Sequence, residues 1–208
     1  AFADLAKRHK ISLVVDETYR DFDSRTGMPH ELFTDPDWPD YFVQLYSFSK
    51  AYRLTGHRVG AIVASTALLA QVEKYLDSVA ICPSQLGQIA ALWGMQNLDD
   101  WVATERHEIL ARRAAMINGF KTLPDWTLLG CGAYFAYVEH PFKVSSDQVA
   151  KDLVQQAAVL LLPGTMFHPI QNTQGTRQLR IAFANIDKSE ITELFARLAA
   201  LAPTGPKP

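Results

Sequence analysis

Tyr46-Ser-Phe-Ser-Lys-Ala-Tyr-Arg-Leu-Thr-Gly-His-Arg-Val-Gly60 is the stretch on which the reading of this chain turns. It grows out of one strand-like run, Val43–Phe48, and leads into a second, Arg58–Ala64, with Gly56 in the short connection. The first run ends in Ser47, Ser49 and Lys50, and Arg58 follows eight residues after the lysine. Upstream, Ile11-Ser-Leu-Val-Val15 is β-branched and nearly all apolar, the composition of a strand buried on both faces. It follows an amphipathic helical stretch, Ala1–Lys10, and closes on Asp16 and Glu17, with Tyr19 just beyond. A helix feeding such a strand is half of a parallel-sheet unit. Ligands in open α/β sheets bind at the carboxyl ends of strands. Asp16, Tyr19, Ser47, Lys50 and Arg58 are therefore candidate site residues.

Beyond this core, Ser24–Pro39 is rich in turn formers, and Thr66–Ser78, Ser84–Asn97 and Asp99–Leu123 read as helices. The last carries Glu105, Arg106, Glu108, Arg112 and Arg113, charges expected to solvate one face. After Pro124 the texture changes. Thr127–Leu129 and Ala133–Glu139 read as strands around Gly130 and Gly132. Ser145–Ala157 reads as a helix with Ser145 and Gln148 at capping-box spacing. Val159–Leu162 and Gln178–Ala184 are further strands, and a closing helix starts at Asp187, boxed by Glu190. Thr204–Pro208 reads as a tail. The expected fold is α/β in two domains, 1–120 and 121–208, divided by the long helix.

A net charge of −2 gives no electrostatic reason to expect nucleic acid or an anionic membrane as partner. No apolar run approaches the roughly 18 residues needed to span a bilayer. Cys82 and Cys131 are too few for a disulfide framework, so a cytoplasmic setting is expected. Cys82 is expected to be a half-buried, inert thiol. His107-Glu108 lacks a second histidine one turn on, and no His/Cys cluster has metal-ligand spacing, so no metal is expected. Hydrolase readings lack a Gly-x-Ser-x-Gly anchor. The chain opens at Ala1 directly into a helical pattern, as though cut from a longer protein.

The candidate residues form a chemically coherent set. A lysine amine condenses with an aldehyde cofactor. A carboxylate facing a pyridine nitrogen keeps that ring protonated and electron-withdrawing. A phenol suits the ring oxygen, and hydroxyls with a guanidinium suit a phosphate. Here the sequence resembles the class I/II aminotransferases of pyridoxal-phosphate (PLP) fold type I. The matching stretches are Val14-Val-Asp-Glu-Thr-Tyr-Arg-Asp-Phe22, the segment Tyr46–Gly60, Pro163-Gly-Thr-Met-Phe167 and Leu179-Arg-Ile-Ala-Phe183, together covering almost the whole chain in order.

The resemblance implies the C-terminal part of a large PLP-binding domain with a mostly parallel sheet, followed by a small α+β C-terminal domain. Lys50 becomes the Schiff-base lysine and the acid and base of the proton shift. Asp16 pairs with the pyridine nitrogen, Tyr19 with the ring oxygen, Ser47 and Arg58 with the phosphate, and Arg180 clamps the substrate α-carboxylate. Bland readings stand beside these: Lys50 as a solvated surface charge, Asp16 as a turn cap, Tyr19 as a packed aromatic, Ser47 bonded to backbone, Arg180 as an outward strand arginine.

Amino-group transfer between an amino acid and a 2-oxo acid in a homodimer is the leading implication. β-Lyase, decarboxylase or synthase chemistry on the same fold, and a ligand-sensing domain of a transcription regulator, are the alternatives. Relatives specific for dicarboxylates carry an arginine where this chain reads Leu76-Asp-Ser-Val79, which tilts the substrate towards neutral or aromatic amino acids. Family members also use a glycine-rich turn, a stacking aromatic and an asparagine from an N-terminal half that has no counterpart here. The isolated chain is accordingly expected to be a poor catalyst.

Overall fold

The computed structural model describes residues 1–201; the tail expected at Thr204–Pro208 lies outside the described residues. The chain forms two compact units, Ala1–Arg106 and the residues from His107 on.

In the first unit, helix α1 (Phe2–His9) stops at Lys10, which takes the left-handed conformation (φ 53°) and returns its N–H to the carbonyls of Ala6 and Lys7. Strand β1 (Leu13–Asp16) follows. After the turn-rich loop, the short helix α2 (Trp38–Tyr41) leads into β2 (Phe42–Ser47), and β3 (Gly60–Val63) completes a sheet of order β1-β2-β3. β1 and β2 run parallel with Asp16 beside Leu45; β3 runs antiparallel with Gly60 beside Ser47. A side chain at position 60 would place its Cβ 2.8 Å from the Tyr46 carbonyl oxygen, which is why this register takes a glycine. The carboxyl ends of β1 and β2 and the start of β3 thus share one edge of the sheet.

The expectation of two-sided burial for β1 does not hold. Leu13 and Val15 pack with Ala6, Tyr41 and Phe42, whereas Val14 is 56% exposed. Only one face of the strand has an apolar layer against it among the described residues. Helices α3 (Thr66–Val79) and α4 (Gln85–Asn97) follow. Ser65 caps α3 by accepting from the Leu68 N–H. A second cluster, Phe48, Val59 and Ala91 with Tyr46, Tyr52 and Leu54 around it, packs the lysine-bearing connection against α4.

Helix α5 (Asp99–Phe120) contains the boundary between the units. Its charges do more than solvate a face. Arg106 donates to the carbonyls of Asp23 and Arg25, Arg112 to Glu108 and the Ala184 carbonyl, and Arg113 to the Cys131 carbonyl, while Glu105 pairs with Arg53. Long cationic side chains reach backbone acceptors that a helical pattern alone does not reveal.

In the second unit, β4 (Thr127–Gly132), β5 (Phe135–Glu139), helix α6 (Ser146–Ala157), β6 (Leu162–Pro163), β7 (Gln178–Ala182) and helix α7 (Lys188–Ala200) follow in turn. The strands form an antiparallel sheet of order β4-β5-β7-β6. Gly130 and Gly132 lie inside β4 rather than between strands; the turn falls at Ala133 (φ 47°), and the register shifts between Leu128 and Gly130. One sheet face buries Ala136, Val138, Leu179 and Ile181; the other carries Phe135, Tyr137 and Arg180. Asp187 and Glu190 form the expected capping box. At α6 only half of one exists: Ser145 accepts from the Gln148 N–H, but the Gln148 side chain donates to Asp152 instead. No helix among the described residues is long and apolar enough to cross a membrane.

Candidate active site

The shared edge of the first sheet brings four candidate residues to one place in the fold. Asp16 is the last residue of β1 and Ser47 the last of β2; Lys50 lies three residues beyond, and Arg58 two before β3. Lys50 is half-buried, and its Nζ stands over the Tyr19 ring, 5.6 Å from the centroid. This contact joins the residues following β1 to those following β2.

Asp16 is exposed. Its Oδ1 accepts from the Thr18 N–H (3.0 Å) and the Thr18 hydroxyl (2.6 Å), the local turn geometry typical of aspartate. Those bonds, the hydroxyl's foremost, hold its carboxyl below the usual aspartate range. Because the folded value is depressed, this contribution to stability is complete above the ordinary pKa of about 3.9 and is lost as pH falls through the folded value. Asp16 is an anion at neutral pH, and Oδ2 remains for another donor. Thr18→Val is expected to raise the Asp16 titration point towards the ordinary value, read by NMR titration of the side-chain carboxyl; an unmoved curve would contradict this.

Ser47 accepts from the Ser49 N–H at 3.2 Å, leaving its own proton to donate. Arg58 adopts the left-handed conformation (φ 53°), and its Nη1 donates to the Thr55 carbonyl at 2.9 Å. One side of the guanidinium is anchored and the rest of its fork lies exposed. The local, turn-forming bonds expected on the blander reading are thus present at Asp16 and Ser47, and each leaves a group of the right sign for a ligand.

One member of this region was missed. Glu17 is buried (6% exposed) and accepts from Gln44 Nε2 at 2.6 Å and Arg20 Nη1 at 3.2 Å, with His30 Nε2 also on its carboxylate. It fastens the loop after β1 to β2, so it fixes where Tyr19 and Asp16 lie. The signal available was the acidic pair Asp16-Glu17 at a strand end: one acid faces out and the other must find partners inside. Cys82 also departs from expectation, being exposed.

Arg180 lies in β7, opposite Tyr137 of β5. Its guanidinium carbon is 4.4 Å from the Phe135 ring centroid and 4.7 Å from that of Phe167. Its Nε is buried and has no acceptor among the described residues. A buried donor without a partner costs about 1–3 kcal/mol, so a strand arginine kept in this state points to an acceptor from outside the described residues.

The family described as aminotransferase class I and II matches residues 1–198. The chain belongs to this family. An aspartate aminotransferase of Sulfurisphaera tokodaii is 24% identical over 200 residues, covering 94% of this chain and 49% of its own length. An LL-diaminopimelate aminotransferase of Nitratidesulfovibrio vulgaris is 25% identical over 202 residues, covering 95% and 50%. Among solved structures, an aminotransferase from Staphylococcus aureus superposes with a TM-score of 0.82 at 24% identity, over 95% of this chain and 52% of its own. The chain spans about half the length of the curated relatives it matches. Members of the family use pyridoxal phosphate. The residues present fit that group: a half-buried amine for its aldehyde, an ionised carboxylate with a spare oxygen for its ring nitrogen, and a hydroxyl and a guanidinium for its phosphate. Among the described residues no group of three or more His, Cys, Asp or Glu could hold a metal ion.

Proposed function

We propose that this chain carries the lysine-bearing part of a PLP-dependent aminotransferase that moves an amino group between an amino acid and a 2-oxo acid. The observation that carries the reading is the Lys50 amine over the Tyr19 ring, at the sheet edge where Asp16 and Ser47 end parallel strands.

When bound, the cofactor supplies the aldehyde and the electron-withdrawing ring. Lys50 would hold it covalently and, once displaced by substrate, carry a proton to and from the substrate α-carbon. Asp16 would hold the ring nitrogen's proton through Oδ2, and its anionic state at neutral pH suits that task. Tyr19 would pack beneath the lysine and donate to the ring oxygen. Ser47 and Arg58 would bind the phosphate, the guanidinium through its free edge. Arg180 would take the substrate α-carboxylate, satisfying its buried Nε. The first unit, extended along α5 to about residue 120, would be part of the large domain, and 121–208 the small one; the family resemblance supports a homodimer.

Product analysis tests the reaction type. With intact enzyme, PLP and an amino donor, new 2-oxo acid is expected to appear only when a 2-oxo acid acceptor is present. Stoichiometric release of ammonia or carbon dioxide without an acceptor would instead favour lyase or decarboxylase chemistry.

A further inference from the structure

We infer that His168 is a positioning residue for the carboxylate clamp: it holds Phe167 against Arg180 by tying the end of the Gly164–Phe167 turn to β5 and β7. This rests on Arg180 binding the substrate carboxylate. An arginine side chain has many rotamers to lose on binding, so an unsupported guanidinium on a strand is a poor preformed receptor. Here two phenyl rings support it. Phe135 is fixed by its place in β5, paired with Ala182. Phe167 has no such support: it ends a 3-10 turn and is 43% exposed, so burial alone does not hold its ring.

Both ends of that turn are pinned. At its start, a Cβ on Gly164 would come within 2.7 Å of the Gln178 and Gly175 carbonyl oxygens, so the two glycine backbones and β7 meet with no space for a side chain. At its end, His168 is extended (φ −123°, ψ 149°), and its Nε2–H donates to Gln178 Oε1 at 2.8 Å. The Tyr137 hydroxyl lies 3.3 Å from the same nitrogen, and the Tyr137 ring stands edge-on to Phe167. Gln178 and Tyr137 share the sheet face of Arg180, on β7 and β5. The imidazole is therefore the bridge between the turn that carries Phe167 and the two strands that carry Arg180 and Phe135. Without it, the pin at Gly164 and the tie of the Thr165 hydroxyl to Asp147 remain, but the tie at the Phe167 end of the turn is lost.

The test is a KM-against-kcat comparison in the PLP-loaded enzyme, with direct calorimetric binding of the 2-oxo acid as a second readout. His168→Ala is expected to raise KM for amino donor and oxo acid, and the oxo acid's dissociation constant, about tenfold, as loss of orientation does, with kcat within about twofold. His168→Gln, which keeps a side-chain donor, is expected to recover most of the loss. Arg180→Lys is the control and should raise KM at least as much. If Arg180→Lys raises KM and His168→Ala leaves it unchanged, or lowers kcat alone, the positioning role is overturned while the clamp stands. If Arg180→Lys also leaves KM unchanged, the clamp itself fails and this inference with it.

Discussion

Lys50→Arg is expected to lower kcat by roughly 10²–10⁴-fold or more, the range supplied by a positioned acid–base group. The substitution keeps a cation above Tyr19, and guanidinium packs on an aromatic face at least as well as ammonium, so the link between the segments after β1 and β2 is retained. What disappears is chemical. A guanidinium stays protonated at any accessible pH, so it neither condenses with an aldehyde nor takes a proton from carbon. A thermal melt close to that of the parent together with the kinetic loss would separate chemistry from folding. Activity within tenfold of the parent would place the essential amine elsewhere.

Asp16→Asn is expected to give the next largest effect, a fall in kcat of about 10²–10³-fold, the usual consequence of removing one preorganised electrostatic group from a reacting centre. The amide retains an oxygen that accepts from Thr18, so the local turn survives. Only the charge proposed to face the ring nitrogen goes. Loss in kcat with intact cofactor binding is the signature to look for; weakened cofactor binding with unchanged kcat would assign Asp16 to holding rather than activating the ring.

Much of this was legible in the sequence because local rules and tertiary structure agree. The run before Asp16 and the run before Ser47 both became strands, and the short segment with Gly56 did join the second to β3. Asp187 and Glu190 announced a helix start and form one. Three things were not legible, each for a physical reason. Two-sided burial of β1 was inferred from composition, yet a second apolar layer must come from residues distant in sequence, and none of those described covers Val14. The cross-links of Arg106, Arg112 and Arg113 end on backbone carbonyls, which leave no trace in a residue pattern. Glu17 carried no assignment in the sequence, and its burial is set by partners distant in the chain, Gln44 and His30, together with Arg20.

At the candidate site, residue type was readable and state was not. Serine, lysine and arginine at fixed spacing told which chemistry was possible. That the Asp16 carboxyl is held low by Thr18, and that Arg180 rests against Phe135 and Phe167 with an Nε that has no acceptor among the described residues, required the fold.

The most direct test is borohydride reduction of the PLP-loaded enzyme followed by peptide mapping. Every covalently retained pyridoxyl group should sit on one peptide, at the side chain of Lys50. Label on a different lysine, or no label despite saturating cofactor, would contradict the assignment on which all the other roles depend.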